Sequence, residues 1–308
     1  MVVAGGARET ILAVLTWARR VLIEAGADSP HLDAELLLAH GLGWRRIQLH
    51  TSTEQLIGRE DQARYAKLIA RRARREPLAY LVGHREFYGL DFFVDERVLI
   101  PRPETEVLVE QAIFQGTYIL ESTGGLAIAD VGTGCGAIAI VLALRLSLAE
   151  VYAVDISSPA LEVTAHNCRR HGLQGQLHLL AGDLLSPLPR SVDLIVANLP
   201  YVALGEVATL PPEISCYEPR VAWNGGVDGL AVIERLLAQA SGYLNGGGSI
   251  LLEIGATQGS AVQDLAVRWF PTAAVQVFQD GAGLDRVVSV VPAPSGTRTR
   301  RKKWPRLQ

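Results

Sequence analysis

The sequence is poor in cysteine and has no long hydrophobic run. Its 308 residues include three cysteines, Cys135, Cys168 and Cys216, which lie far apart and form no C-x-x-C pair. This spacing gives no indication of a metal centre or a redox pair, so we predict no bound metal and interpret the cysteines as reduced thiols of a cytoplasmic protein. The first apolar stretch, residues 11–18, is too short to cross a bilayer and is followed by two arginines. Neither a signal peptide nor a membrane anchor is therefore predicted.

Positive charge is also scarce over most of the chain. The formal net charge is −3, although the last eleven residues contain six cations and no acid. Removing these six charges leaves −9 for residues 1–297, and an acidic body is poorly suited to bind phosphate backbones of any sequence. A nucleic-acid substrate is therefore disfavoured. Residues 292–308, rich in Pro, Ser, Gly and Thr before the cations, are predicted to be a disordered basic tail.

The first third of the chain has the pattern of a helical domain. Apolar residues recur at helical spacing between residues 11 and 22, Ser29 and Pro30 are typical of a helix start, and charges surround an apolar strip over residues 60–75. Residues 1–78 are therefore predicted to form an all-helical domain. Residues 79–103, with aromatic and β-branched residues punctuated by glycine, are predicted to form a β-hairpin linker.

Residues 104–291 alternate short apolar strands with helix-length segments. Strands are expected near Val131, Ala153, Leu179 and Ile195, and further ones at "GSILLEIG", "AVQVFQ" and "DRVVSVV". This alternation is typical of an α/β domain with a doubly wound, mostly parallel sheet. Ligands of such sheets bind outside the carboxyl ends of the strands, so residues that follow the strands are candidate site residues.

The segment "DVGTGCGA" directly follows the first of these strands and is expected to open a helix. Gly132, Gly134 and Gly136 let the backbone pass close to a ligand, and the helix N-terminus offers free N–H groups. Asp155, 23 residues after Gly132 at the end of the second strand, occupies the place of a ribose-binding acid. Because Gly132, Gly134 and Ala137 also fit the dinucleotide pattern, these residues alone leave NAD and S-adenosylmethionine both open.

Residues at three strand ends favour S-adenosylmethionine over NAD as the cofactor. Asp130 precedes the glycine loop, Asp183 ends the third strand, and "NLPY" at 198–201 ends the fourth. Each has a simpler interpretation when taken alone: an acid that ties the loop to itself, a helix N-cap, and an asparagine-initiated turn. Their occurrence at successive strand ends makes a common ligand site the better interpretation.

The NLPY stretch has the groups needed to hold a planar NH2 group. The Asn198 side-chain oxygen and the Pro200 backbone oxygen can each accept one hydrogen from a glutamine amide or an adenine amine. Pro200 fixes its own φ and restrains Leu199 to an extended conformation, so the loop is stiff. Two aligned acceptors favour the positive charge that develops on nitrogen during methyl transfer, and Tyr201 would pack on the planar group and exclude water.

Seven segments, spread over nearly the whole chain except the tail, are shared with one known family. They are "EPLAYLVGHREFYGLDF" (77–93), "LIPRPETE" (99–106), "DVGTGCGAIAI" (130–140), "NLPY" (198–201), "EPRVAWNGGVDGL" (218–230), "LLEIGATQG" (251–259) and "GLDRVV" (283–288). On these segments the chain resembles the release factor glutamine methyltransferases, called HemK or PrmC. The combination of PRPETE with NLPY is highly specific, whereas the glycine loop alone is not.

The resemblance implies a class I S-adenosylmethionine-dependent methyltransferase domain, a small helical N-terminal domain that helps to hold a release factor, and a β-hairpin linker. The implied reaction is methylation of the side-chain amide nitrogen of the glutamine in the Gly-Gly-Gln motif of class I peptide chain release factors. The residues implied to bind the cofactor are Gly132, Thr133, Gly134, Cys135, Gly136, Asp155, Asp183, Leu184 and Asn198. Those implied to bind the glutamine are Asn198, Leu199, Pro200 and Tyr201, of which Asn198, Pro200 and Tyr201 are the candidate catalytic residues. Arg102, Glu104 and Thr105 fall in the family's PRPxTE loop without an assigned role.

Two positions depart from the family pattern, and three other functions compete with it. Leu199 stands where the family usually has proline, which makes the loop less rigid, and Trp223 replaces a usual leucine. A ribosomal-protein glutamine methyltransferase would share almost every motif. A DNA adenine methyltransferase would use the same Asn-x-Pro-Tyr chemistry on a flipped base, but the acidic body and the lack of an evident basic recognition domain argue against it. A non-enzymatic cofactor-binding scaffold predicts that the Asn198 loop is dispensable.

Overall fold

The computed structural model describes residues 8–293, which form eleven α-helices and nine β-strands. The helices are α1 (Ile11–Glu24), α2 (Pro30–Leu42), α3 (Arg46–Thr51), α4 (Arg59–Arg72), α5 (Leu78–Val82), α6 (Glu106–Thr123), α7 (Ala137–Arg145), α8 (Ser158–Arg170), α9 (Pro212–Tyr217), α10 (Ala231–Ala240) and α11 (Gly259–Trp269). The strands are β1 (His84–Phe87), β2 (Leu90–Phe93), β3 (Leu126–Val131), β4 (Ala149–Asp155), β5 (Leu177–Ala181), β6 (Val192–Ala197), β7 (Leu244–Glu253), β8 (Ala274–Gln279) and β9 (Asp285–Val291). Apart from its first two residues, the predicted basic tail lies outside the described residues.

The chain divides into two compact units. The first contains Met1–Pro101 and Gly205–Ala222, and the second contains Arg102–Leu204 and Trp223–Gln308. Residues 205–222 lie in sequence between β6 and α10 of the second unit, but they belong to the first unit. We call this segment the insertion. The sequence pattern did not predict its association with the first unit.

The first unit is built from α1–α5, the β1–β2 hairpin and α9. Thr10 starts α1, because its side chain accepts a hydrogen bond from the Ala13 backbone N–H at 3.2 Å. Ser29 lies at the N-cap of α2 but makes no capping hydrogen bond with its side chain, so Pro30 at the first helical position defines this start. Apolar faces of the helices form one core, whose fully buried members include Ile11, Leu22, Leu37, Leu38 and Ile69.

A partly buried cluster of charged residues holds residues 205–222 within the first unit. Glu213 on α9 accepts hydrogen bonds from Arg75 Nε at 2.6 Å, Arg75 Nη2 at 2.7 Å and Arg72 Nη1 at 2.9 Å. Arg72 is buried, and its Nε also donates to Asp33 Oδ2 at 2.7 Å. Because the Arg75 pair is bidentate, it holds Glu213 in one geometry as well as by charge.

Replacing Glu213 by glutamine is expected to loosen the insertion, since Arg72 and Arg75 then lose a shared negative partner. Burial raises the pKa of Glu213, but the hydrogen bonds from Arg75 and Arg72 outweigh it and bring the pKa below its usual value. A carboxyl group with a lowered folded-state pKa stabilises the fold above its unfolded pKa and loses that contribution as pH falls through the folded value. We expect a loss of about 2 kcal/mol at pH 7 and a smaller difference below about pH 4.

Amide hydrogen exchange of residues 205–222 is the measurement for this prediction. The matched control is Glu60→Gln, because Glu60 is an exposed residue of α4. If both variants exchange at the parental rate in this segment at pH 7, the cluster does not hold the insertion.

The second unit confirms the predicted mostly parallel, doubly wound sheet. Its seven strands lie in the order β5-β4-β3-β6-β7-β9-β8. Strands β3 to β7 are parallel, and β9 pairs antiparallel with both β7 and β8. Every residue of β3 is buried, as expected for a central parallel strand covered on both faces. The strand order reverses between β3 and β6, which places a ligand crevice at their carboxyl ends.

Within residues 8–293, no helix is both long and apolar enough to cross a membrane.

Candidate active site at the carboxyl ends of the strands

The glycine loop links β3 to α7 and depends on glycine for its shape. Gly132, Gly134 and Gly136 have positive φ values of 77°, 57° and 83°. A Cβ on Gly136, the N-cap of α7, would lie 2.7 Å from Thr164 Cγ2, so a larger residue would push the loop away from α8. The loop is anchored to β4 by hydrogen bonds from Gly132 N and Thr133 N to the Val154 backbone oxygen at 2.8 and 3.0 Å. The sequence pattern thus produces a rigid turn that opens a helix.

Asp155 at the end of β4 already holds the glycine loop. Its Oδ2 accepts a hydrogen bond from Gly134 N and its Oδ1 accepts one from Ser157 N, both at 2.9 Å. Burial raises the pKa of Asp155, and these backbone hydrogen bonds oppose the rise. A third backbone hydrogen bond, from Ile156, also reaches this carboxylate. The three donors occupy only part of its four lone pairs, so it can still accept a hydrogen bond from a ligand. Asp155 is therefore both an anchor of the loop and a candidate ligand residue.

Asp130 lies behind the glycine loop and ties it to β3. It is fully buried, and its Oδ2 accepts hydrogen bonds from the Thr133 hydroxyl at 2.6 Å and from Ala139 N at 3.1 Å. Its Oδ1 is buried without a hydrogen-bonding partner among the described residues. Burial raises the pKa of Asp130 to about 7, although the hydrogen bonds from Thr133 and Ala139 oppose this. The simpler interpretation of Asp130, an acid that only ties the loop to itself, therefore accounts for Oδ2 but not for Oδ1.

Two of the predicted loop residues face inward. The Thr133 hydroxyl is engaged by Asp130, and Cys135 is buried while its backbone oxygen accepts from Asn167 Nδ2 at 2.8 Å. The side chains of Thr133 and Cys135 are therefore turned away from a ligand, which is a limit that the sequence pattern did not indicate.

Asp183 and Leu184 follow β5 in a turn, so the alternative of a helix N-cap at Asp183 does not apply. The Asp183 carboxylate pairs with Arg235 on α10. Leu184 has a positive φ of 53° and is buried in the apolar core. Both residues lie at the same end of the sheet as the glycine loop, but the Leu184 side chain packs inward.

The NLPY loop follows β6 and touches the glycine loop. A Cβ on Gly132 would lie 3.4 Å from Leu199 Cδ2 and 3.5 Å from the Asn198 backbone oxygen. Asn198 Nδ2 donates to Thr105 Oγ1 at 3.3 Å, and Leu199 is buried. The pairing of β3 with β6 thus brings together two loops that are more than 60 residues apart in sequence.

Hydrogen bonds hold both the side chain and the backbone of Tyr201. Its hydroxyl donates to Glu253 Oε1 at 3.4 Å, and its backbone oxygen accepts from Gln258 Nε2 at 2.9 Å. Burial raises the pKa of the Tyr201 phenol, and the neighbouring Glu253 carboxylate raises it further. The phenol therefore stays protonated at neutral pH and has no tendency to act as a base.

A second glycine-rich stretch, residues 224–229, supports the NLPY loop and was not identified as part of the site from the sequence. Gly225 N donates to the Val202 backbone oxygen at 2.9 Å. A Cβ on Gly225 would lie 2.8 Å from the Pro200 backbone oxygen, and one on Gly229 would collide with the Tyr201 backbone oxygen. The available signal was the run "NGGVDG", with three glycines in six residues. Trp223, the second departure from the family pattern, is buried next to this stretch.

Replacing Gly229 by alanine is expected to disturb the NLPY loop. Gly229 has a φ of 78° and no room for a Cβ, so the added methyl group must displace the Tyr201 and Ala203 backbone. We expect a lower thermal midpoint and, for the reaction that the family resemblance implies, a rate reduced by about tenfold or more. Gly281→Ala is the control, because a Cβ there meets nothing within 4 Å. Equal rates for the two variants would show that the loop does not depend on this close approach.

Two further buried residues were not assigned roles from the sequence. Thr105 accepts from Asn198, and Glu253 at the end of β7 accepts from Tyr201. Thr105 belonged to a loop noted without a role, and Glu253 gave no signal beyond its place at a strand end. Among residues 8–293, no group of three or more His, Cys, Asp or Glu side chains is arranged to hold a metal ion.

Comparisons with known proteins agree with this architecture. Residues 13–83 match the model of the PrmC N-terminal domain, and residues 108–210 match the methyltransferase small domain. The release factor glutamine methyltransferase of Geobacter sulfurreducens is 40% identical over 282 residues, which cover 91% of this chain and 95% of the relative. The corresponding protein of Moorella thermoacetica is 43% identical over 278 residues, which cover 90% and 96%.

One solved structure illustrates the fold. The crystal structure of a methyltransferase from Pyrococcus furiosus covers 73% of this chain and 98% of its own, with a TM-score of 0.52 and 16% identity. At this identity the similarity concerns the fold alone.

Proposed function

This chain belongs to the release factor glutamine methyltransferase family, and from that premise we propose that it methylates the glutamine of the Gly-Gly-Gln motif in class I peptide chain release factors. The methyl group goes from S-adenosylmethionine to the side-chain amide nitrogen. The contact between the NLPY loop and the glycine loop carries this proposal, because the Asn198 backbone oxygen lies 3.5 Å from the position of a Cβ on Gly132. A group bound at Asn198 would therefore lie next to a ligand on the glycine loop.

The residues at the glycine loop fit S-adenosylmethionine. A buried acid behind the loop, Asp130, has an unpaired Oδ1, which favours a ligand with positive charge over the pyrophosphate of NAD. When bound, this cofactor supplies an electrophilic methyl group on a sulfonium. We propose that the backbone of residues 132–136 and the carboxylate of Asp155 hold it, that Asp183 and Leu184 border its adenine, and that Asn198 lies between it and the substrate.

The NLPY loop is proposed to hold the substrate amide by both hydrogens. Asn198 Nδ2 donates to Thr105, so its Oδ1 is left to accept one hydrogen of the glutamine amide, and the Pro200 backbone oxygen accepts the other. An amide nitrogen is a poor nucleophile because its lone pair is delocalised. Two fixed acceptors favour the positive charge that nitrogen gains as its new bond to carbon forms, and the nitrogen then releases a proton to the same acceptors or to water.

Tyr201 is proposed to act as a wall rather than as a base. Its hydroxyl already donates to Glu253, and its partly buried ring would offer a flat surface on which the amide plane packs. Leu199, in place of the usual proline, is buried against Gly132, and this packing restrains the loop.

We propose that the segments of the chain have the roles that the family resemblance implies. Residues 1–78 would recognise the release factor, residues 79–103 would link them to the catalytic residues 104–291, and the reaction would take place in the cytoplasm. No nucleic acid substrate or membrane is part of this proposal.

Methylation of a purified class I release factor tests the proposal. The protein is incubated with S-adenosylmethionine and the release factor, and mass spectrometry locates the added methyl group. The substrate control replaces the Gly-Gly-Gln glutamine by alanine. A methyl group on this glutamine in the parental substrate alone supports the assignment. Methylation of a ribosomal-protein glutamine or of DNA adenine instead would replace it, and cofactor binding without methylation of any of these would favour a non-enzymatic scaffold.

A further inference from the structure

Behind Asn198 lies a row of buried polar side chains that the proposed chemistry does not itself use. Thr105, at the end of a short 3-10 helix, is 4% exposed, and Glu253, at the end of β7, is 1% exposed. The Thr105 hydroxyl oxygen accepts a hydrogen bond from Asn198 Nδ2 at 3.3 Å, and the same hydroxyl is hydrogen-bonded to the Glu253 carboxyl group. The pairing of Ala197 with Leu252 in the β6–β7 ladder fixes Asn198 and Glu253 as neighbours at the sheet edge.

The number of hydrogens in this row decides which way the Asn198 amide faces. A threonine hydroxyl has one hydrogen and two lone pairs. A carboxylate only accepts, so an ionised Glu253 takes the Thr105 hydrogen and leaves the Thr105 oxygen as an acceptor. Asn198 must then present its NH2 group to Thr105, and its Oδ1 faces the other way. A 180° flip of the amide would bring two oxygen acceptors together without a hydrogen between them.

We propose that Thr105 and Glu253 are positioning residues that fix the Asn198 amide with its oxygen toward the substrate. This inference rests on the proposed function, since it explains how the acceptor needed for the glutamine amide is kept available. Neither residue has to touch the substrate or the cofactor. Glu253 acts through Thr105, and Thr105 acts through Asn198.

The ionisation of Glu253 gives this arrangement a pH dependence. Burial raises the pKa of Glu253 to about 7, while the hydrogen bonds from Thr105 and Tyr201 and the charge of Arg286 on β9 lower it, and Glu104 raises it. Once protonated, Glu253 can donate to Thr105, which frees the Thr105 hydrogen for Asn198 Oδ1 and permits the flipped amide. The methylation rate is therefore expected to fall as the pH drops below about 7.

The first test replaces Thr105 by valine, which keeps the shape and removes the hydroxyl. With the parental protein active on release factor, we expect kcat to fall about tenfold and the KM for release factor to change less than about twofold. Thr105→Ser restores the hydroxyl and should recover most of the rate. Thr117→Val is the matched control, because Thr117 is an exposed residue of α6 that bonds only its own helix. Loss of rate in Thr105→Ser equal to that in Thr105→Val would overturn the proposal.

The variant Glu253→Gln tests the second positioning residue. Because Glu253→Gln keeps the volume but removes the ionisation, the decline in rate below pH 7 should disappear, and the rate at pH 8 should already be reduced about tenfold. Asp130, whose pKa is also raised to about 7, is unchanged in this variant and therefore serves as an internal comparison. If the rate of Glu253→Gln still declines below pH 7, the decline belongs to Asp130, and the proposed role of Glu253 is contradicted.

A measurement independent of activity separates this inference from the proposed function. The chain has four asparagines, Asn167, Asn198, Asn224 and Asn245, so selective 15N-asparagine labelling gives four side-chain NH2 signals, and Asn198→Ala assigns one of them. At pH 8 the Asn198 hydrogens should exchange with solvent about tenfold faster in Thr105→Val than in the parent or in Thr117→Val. If the parental protein fails to methylate release factor, this result still supports the inference. Unchanged exchange in Thr105→Val would overturn it even when methylation succeeds.

Discussion

Replacing Asn198 by alanine is expected to lower kcat by roughly 100-fold or more, the loss typical of removing one preorganised hydrogen-bonding group from a charge-stabilising site. The variant keeps the Pro200 backbone oxygen but loses the side-chain acceptor that the amide needs. Cofactor affinity should fall less, because the glycine loop and Asp155 are unchanged. Single-turnover methylation of release factor, with calorimetry of cofactor binding alongside, separates the two effects.

Asn198→Asp is the sharper companion variant. Aspartate still accepts a hydrogen bond from the substrate, but it no longer donates to Thr105 and it adds a negative charge beside a cationic cofactor. Its rate should therefore also fall well below the parental one. If both Asn198 variants methylate at the parental rate under single-turnover conditions, NLPY is a structural turn and the mechanism is wrong.

The two Tyr201 variants test the neighbouring wall. Tyr201→Phe keeps the ring and loses only the bond to Glu253, so its rate should fall less than that of Tyr201→Ala. The reverse ranking would assign the phenol a chemical role.

Replacing Asp155 by alanine is expected to weaken S-adenosylmethionine binding by roughly 1.5 to 3 kcal/mol, or about 10- to 150-fold. The carboxylate is proposed to accept the ribose hydroxyls, and it also accepts from Gly134 N, so its loss affects both the ligand and the loop that cradles it. This double role places the expected effect toward the upper end of the range.

Calorimetry of the cofactor measures this effect directly. Asp264→Ala is a suitable control, because Asp264 is an exposed residue of α11. An unchanged dissociation constant in Asp155→Ala, or tight binding of NAD by the parental protein, would count against the cofactor assignment.

The sheet, the glycine loop and the NLPY loop could be predicted from the sequence alone. These features have local signatures: β3 is a continuous apolar run, the glycines follow it directly, and a proline stiffens the segment after β6. A parallel, doubly wound sheet then brings successive strand ends to one edge, so the order of the motifs along the chain was sufficient to predict that they share a site.

The hydrogen-bonding partners of the side chains in that site could not be predicted, because they depend on contacts between distant segments. The Asn198–Thr105 hydrogen bond joins residues 93 positions apart, and the Arg75–Glu213 pair joins residues 138 positions apart. Neither has a periodic signature, because a hydrogen bond between distant segments depends on strand register and on which polar groups are left buried together. The same reason explains why Thr133 and Cys135 turned inward, why Asp183 pairs with Arg235, and why residues 205–222 belong to the helical unit.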